Sequence, residues 1–102
     1  MRLLTKELRK QLPPIYVGRK AADPMVFCSF TMQKSTWRWY PIEFDGKDAF
    51  FGYIAHDDPN EPKFDYFILS DWESTRREFG LSMKRDRRFK PQPLSQVLKL
   101  HE

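Results

Sequence analysis

The sequence predicts an α+β domain: an antiparallel meander of four to five strands, an N-terminal helix, and a second helix after strand four. Three observations predict it. Aromatic residues crowd Trp37 to Tyr53 at alternating positions on either side of Asp45-Gly46-Lys47-Asp48, the pattern of a β-hairpin closed by an Asp-Gly turn. Leu4, Leu8 and Leu12 repeat at helical spacing ahead of that hairpin, and Ser70 to Phe79 reads as a helix behind it. The loops between successive strand-like runs are short, which favours antiparallel neighbours.

The opening helix spans 5–12. Thr5 is a suitable N-cap, Glu7 suits the first turn, and Pro13-Pro14 ends the helix because neither proline can continue it. Its polar side carries Arg2, Lys6, Arg9 and Lys10. Ile15 to Asp23 is a connector punctuated by Gly18 and Asp23-Pro24. Met25 to Met32 is apolar at most positions and reads as one strand, with Cys28 as a small core residue within it.

Simple alternation along Trp37–Phe44 puts Trp37, Trp39, Pro41 and Glu43 on one face. Arg38, Tyr40, Ile42 and Phe44 then share the other. Pro41 cannot donate to a ladder, so the strand is at an edge there or bulged. Further strands are expected at Ala49–His56 and Lys63–Leu69, joined by the acidic loop His56–Pro62. Ser70 with Glu73 three residues later is a capping box, predicting a helix at 71–79 with Gly80 as its stop and with Trp72, Arg76 and Phe79 on one side. The basic stretch 84–90 is consistent with a strand or a loop, and Ser95–Leu100 with a short final helix or a docked tail.

At 102 residues the chain is expected to form one domain, 1–102. Its 40% hydrophobic, 31% charged composition argues against disorder, and 16% aromatic residues supply a core. A single cysteine excludes an internal disulfide, and with no signal peptide this points to the cytoplasm. No apolar run is long enough for a membrane helix. Net charge is +4 and segregated: residues 1–40 carry +6, residues 41–73 carry −7, and residues 74–102 carry +5. Such blocks give opposite potentials to two surfaces if the fold keeps them apart, and cancel if it pairs them.

The basic stretch is the leading candidate site. Lys84, Arg85, Arg87, Arg88 and Lys90, with Arg76 and Arg77 on the preceding helix and Arg38 between two tryptophans, suit contact with phosphates. The alternative site is acidic: Asp57, Asp58, Glu61 and Asp65 would display negative charge to a basic protein. The aromatic residues of the hairpin are read as core rather than as a base-stacking platform. Asp45-Gly46-Lys47, with Asp23 upstream, matches half of a metal-dependent nuclease site, but an Asp-Gly turn already has a structural explanation. Calcium-loop spacing, a zinc constellation, a Cys-His pair and a glycine-rich phosphate loop are all missing from the sequence. No catalytic residue, metal or cofactor is expected.

The whole chain resembles a family of small bacterial proteins of unknown function found largely on plasmids, integrative conjugative elements and phage-like islands. The residues that carry the likeness are Leu3-Leu4-Thr5-Lys6-Glu7, Leu12-Pro13-Pro14, Asp23-Pro24, Trp37 to Tyr40, Glu43-Phe44-Asp45-Gly46 and Phe50-Phe51-Gly52, then Gly80-Leu81, Arg85-Asp86, Phe89 and Pro91-Gln92-Pro93-Leu94-Ser95. The resemblance implies context rather than chemistry. It suggests an accessory protein of DNA maintenance or transfer that contacts nucleic acid or a nucleoprotein complex. The other role it suggests is an antagonist that binds a host defence protein such as a CRISPR or restriction component.

Overall fold

The computed structural model describes residues 3–102; Met1 and Arg2, with the expected place of Arg2 on the opening helix, lie outside the described residues. Thr5 caps α1 (Lys6–Gln11), its hydroxyl accepting from the Leu8 N–H at 3.2 Å. The strands are β1 (Met25–Val26), β2 (Phe30–Met32), β3 (Arg38–Phe44), β4 (Ala49–Ala55) and β5 (Phe64–Ile68). There follow α2 (Leu69–Phe79), β6 (Met83–Arg85), β7 (Gln92–Pro93) and α3 (Leu94–Leu100). β2 to β5 form the predicted meander. β6 then returns beside β2, completing an antiparallel five-stranded sheet in the order β5-β4-β3-β2-β6.

Both faces of this sheet are covered. On one face Phe30, Trp39, Phe44, Phe50, Ile54 and Phe67 pack with Trp72 of α2 and with Leu4 and Leu12 around α1. Phe50 is the hub, with the rings of Phe30, Phe44, Phe67 and Trp72 at 4.7–6.2 Å from its own. Truncating so buried a ring to alanine costs about 3–5 kcal/mol. On the other face Tyr40, Ile42, Tyr53 and Ala55 pack with Val26 of β1 and Val97 of α3. The hairpin aromatics are therefore largely core, as expected.

The single strand expected over Met25–Met32 is in fact two. β1 pairs with β7, away from the main sheet, while β2 pairs with β3 and β6. Cys28 lies between them, buried. The alternation expected along β3 also breaks. The register shifts between Pro41 and Glu43, so Ile42 and Glu43 both turn to the second face and Phe44 joins Trp39 on the first. This bulge is the local answer to Pro41, whose missing N–H cannot serve a continuous ladder. Opposite Pro41 sits Gly52, where a Cβ would overlap the Tyr40 carbonyl, so the two strands approach closely only because that residue is glycine.

The turn behaves as its chemistry dictates. The Asp45 carboxylate accepts from the N–H groups of Lys47, Asp48 and Ala49 at 2.8–3.0 Å, and Gly46 takes φ 86°. The capping box at Ser70 does not form. α2 begins two residues earlier than expected, at Leu69, with Ile68 at the N-cap position and no side-chain cap there. Ser70 instead gives its N–H and hydroxyl to the carboxylate of Asp48, at 2.9 and 2.6 Å. The same device recurs at α3, where Ser95 gives its N–H and hydroxyl to Asp23. In both helices an aspartate remote in sequence satisfies the orphan donors of the first turn. Gly80 ends α2 in the left-handed region as predicted. Trp72 is buried, but Phe79, expected on the same side, is 70% exposed.

Candidate nucleic-acid interface

The sheet order answers the question raised by the charge blocks. β5, which carries Asp65 and follows the acidic loop, is one outer strand; β6, which carries Lys84 and Arg85, is the other. One ion pair, Arg19–Glu43, does join the first basic block to the acidic one, and it lies on the second face of the sheet. α2 spans from one side to the other, with Asp71 in its first turn and Arg76 and Arg77 in its last. The acidic residues around β5 and the basic residues 84–90 are thus kept apart, while Arg19 is paired within the fold.

The predicted basic residues do not make one flat face. Lys84, Arg85, Arg87, Arg88 and Lys90 lie on the β6 side, on both faces, whereas Arg38 is on the central strand β3. Thr31 of β2 is paired with Arg38 on one side and Lys84 on the other, so these two cations flank it across three strands on the second face. Arg85 points to the first face, its guanidinium donating to the Leu3 carbonyl at 3.3 Å, which makes it partly a structural residue. Arg85 and Arg87 line a recess beside α1 together with Glu7 and Asp86. Asp86 also shapes the turn after β6: its N–H donates to Ser29 O, and its carboxylate accepts from the Arg88 N–H. Arg87, Arg88 and Lys90 are exposed around that turn. Residues 84–90 are therefore neither all strand nor all loop: the ladder stops at Arg85. Arg76 and Arg77 are exposed at the far end of α2, with Arg76 in a cleft toward α1.

The acidic candidates gather at the other side. Asp57, Glu61 and Asp65 are exposed, while Asp58 is half-buried and its carboxylate accepts from the Asn60 N–H. His56 organises this loop. Its Nδ1 accepts from the Asp58 N–H, so Nε2 carries the proton and donates to the Pro62 carbonyl, while the ring stacks on Trp37 at 4.4 Å.

The half-match to a nuclease site finds no support in the geometry. Asp45 is occupied by three turn N–H groups and Asp23 by Ser95, and their hydrogen bonds hold both carboxyls below the usual aspartate range. No group of three or more His, Cys, Asp or Glu among the described residues is placed to hold a metal ion. Burial pushes the Cys28 thiol up to about 12, so it is not a nucleophile at neutral pH. No described helix is long and apolar enough to cross a membrane.

A family model described as a protein of unknown function, DUF2958, matches residues 3–102. The chain belongs to that family. No curated protein and no solved structure matches it. The family description assigns no chemistry to its members.

Two features escaped the sequence reading. Arg19, placed in a plain connector, forks onto the fully buried Glu43, with Nη2 at 2.6 Å and its backbone N–H at 2.7 Å. It also sits 3.7 Å from the Phe51 ring centroid and 4.6 Å from that of Tyr16, whose φ of 70° is unusual for a bulky residue. The second is Tyr40–His101, 2.6 Å apart between hydroxyl and Nε2. Burial, helped by the charge of Arg38, lowers the His101 pKa and favours the neutral ring. Neither pair has a local signal, since their members are 24 and 61 residues apart.

Proposed function

We propose that this DUF2958 protein is a non-enzymatic accessory protein of a mobile genetic element that contacts nucleic acid, or a nucleoprotein complex, along its β6 side. The observation that carries the reading is the separation of charge across the sheet. Lys84 and Arg38 flank Thr31, Arg87, Arg88 and Lys90 follow at the turn, and the acidic residues lie at the opposite side. Flexible cations on an outer strand and turn reach phosphate oxygens without demanding a base sequence, which suits positioning on a backbone.

The test is binding of labelled single- and double-stranded DNA and RNA across a salt series, beside a Lys84→Ala/Arg87→Ala/Arg88→Ala variant. Arg85 is left intact because it holds Leu3. Binding at near-physiological salt that the variant loses supports the reading, and no binding even at low salt overturns it.

A second reading, inhibition of a host defence protein, draws on the acidic side: Asp57, Glu61 and Asp65 are exposed next to the half-exposed rings of Phe64 and Tyr66. Loss of inhibition in Asp57→Asn/Glu61→Gln, with nucleic-acid affinity negligible throughout, would favour it over the first.

A further inference from the structure

We infer that the cleft between α1 and α2 is a docking site for an acidic protein segment anchored by a bulky apolar side chain. The cleft has a volume of about 420 Å³, within the range of built ligand sites. Its floor is apolar, formed by Leu4, Leu69, Trp72 and Met83. Its rim is basic: among the described residues Lys6 and Arg9 come from α1 and Arg76 from α2, against one acid, Glu73. Arg9 is held in place by donating to the Gly46 carbonyl at 3.3 Å and by lying over the Phe44 ring, so the rim is in part preorganised.

An apolar floor inside a charged rim is the anatomy of a protein-docking site, in which an anchor side chain fills the floor and complementary charges fix its register. The charge excess selects an occupant with carboxylates beside the anchor. Phe79 extends the surface beyond what a small molecule would cover. It lies three residues past Arg76, one turn along the same side of α2, and is 70% exposed. An enclosed apolar floor with a further exposed ring one turn past Arg76 fits a length of chain, such as an amphipathic helix laid into the groove.

The cleft borders β6 through Met83 but does not include Lys84, Arg87 or Arg88, so variants at those residues separate its test from nucleic-acid binding. A random-peptide display library is selected on the intact protein, and the selected peptides are synthesised and titrated by fluorescence anisotropy. The expected result is enrichment of Asp or Glu beside Leu, Ile, Phe or Trp. Affinity should then fall by about tenfold or more in Lys6→Glu/Arg76→Glu and again in Phe79→Ser, but stay unchanged in Lys84→Glu/Arg88→Glu. All these positions are exposed, so the variants keep the fold, which circular dichroism checks. Selection of no peptides, of basic or neutral ones, or of peptides indifferent to the Lys6/Arg76 reversal overturns the inference. So does a Lys6/Arg76 reversal that abolishes nucleic-acid binding as fully as loss of Arg87 and Arg88, because the cleft is then part of that surface.

Discussion

The Arg19 guanidinium grips the carboxylate of the fully buried Glu43 while stacking on Phe51, and so pins the loop before β1 onto the bulge of β3. Removing one member of such a pair is worse when it strands the buried charge. Arg19→Met should therefore lower the urea midpoint more than Glu43→Gln, which leaves a neutral group and a cation that can reach water. Equal losses in the two variants would show that the carboxylate is not buried in solution.

Glu43 and Asp45 are both shifted down although burial opposes it, because the Arg19 hydrogen bonds and the turn N–H groups outweigh desolvation. Asp23 is shifted down by its Ser95 hydrogen bonds. With folded values below unfolded ones, these carboxylates contribute full stability above the ordinary carboxylate range. That contribution is lost as pH falls through about 4 and below. Acid titration of unfolding should show stability falling over that window, with a shallower fall in Asp45→Asn.

His101 works at higher pH. Its folded pKa is depressed by burial and by the charge of Arg38, so the unfolded chain binds the proton first, and stability is full only above the ordinary histidine value of about 6.5. As pH drops below that, amide exchange at the end of α3 should accelerate. Arg38→Gln should weaken this dependence, because the Arg38 charge is one of its two causes, while leaving the core intact.

Asp65 folds over the outer side of β5. Alternation of hydrogen-bonded pairs from Ile54–Lys63 to Asp48–Leu69 leaves the Tyr66 N–H pointing away from β4, and the Asp65 carboxylate accepts it at 2.7 Å. This blunts an outer strand that otherwise reads Phe-Asp-Tyr-Phe-Ile. Asp65→Thr should raise self-association in sedimentation velocity, and adding Tyr66→Pro should reverse it. No change in Asp65→Thr would mean that the carboxylate has no protective role.

Cys28 provides a probe of folding. Buried, with its thiol pushed up to about 12, it should resist alkylation by iodoacetamide at neutral pH until the domain unfolds. Rapid labelling of the native protein would place the thiol at the surface.

Features decided within a few residues were legible in the sequence. Asp45-Gly46 makes its own turn, Pro13-Pro14 stops α1, Gly80 stops α2, and alternating aromatics mark β3 and β4 as core strands. The candidate basic residues were likewise visible as charge. What required the tertiary structure are contacts between residues far apart in the chain. Ser70 satisfies the pattern of a capping box, yet a carboxylate 22 residues away holds it instead. Met25–Met32 looks like one strand, but β7 takes its first two residues and β3 and β6 take its last three. One bulged residue, Ile42, moved Glu43 and Phe44 to opposite faces from those simple alternation assigns, because side-chain direction depends on the parity of pairing as well as on sequence. The same holds for the charges. Their number and sign are local facts, whereas their separation to opposite sides follows from β6 pairing with β2 and leaving β5 outermost at the far side.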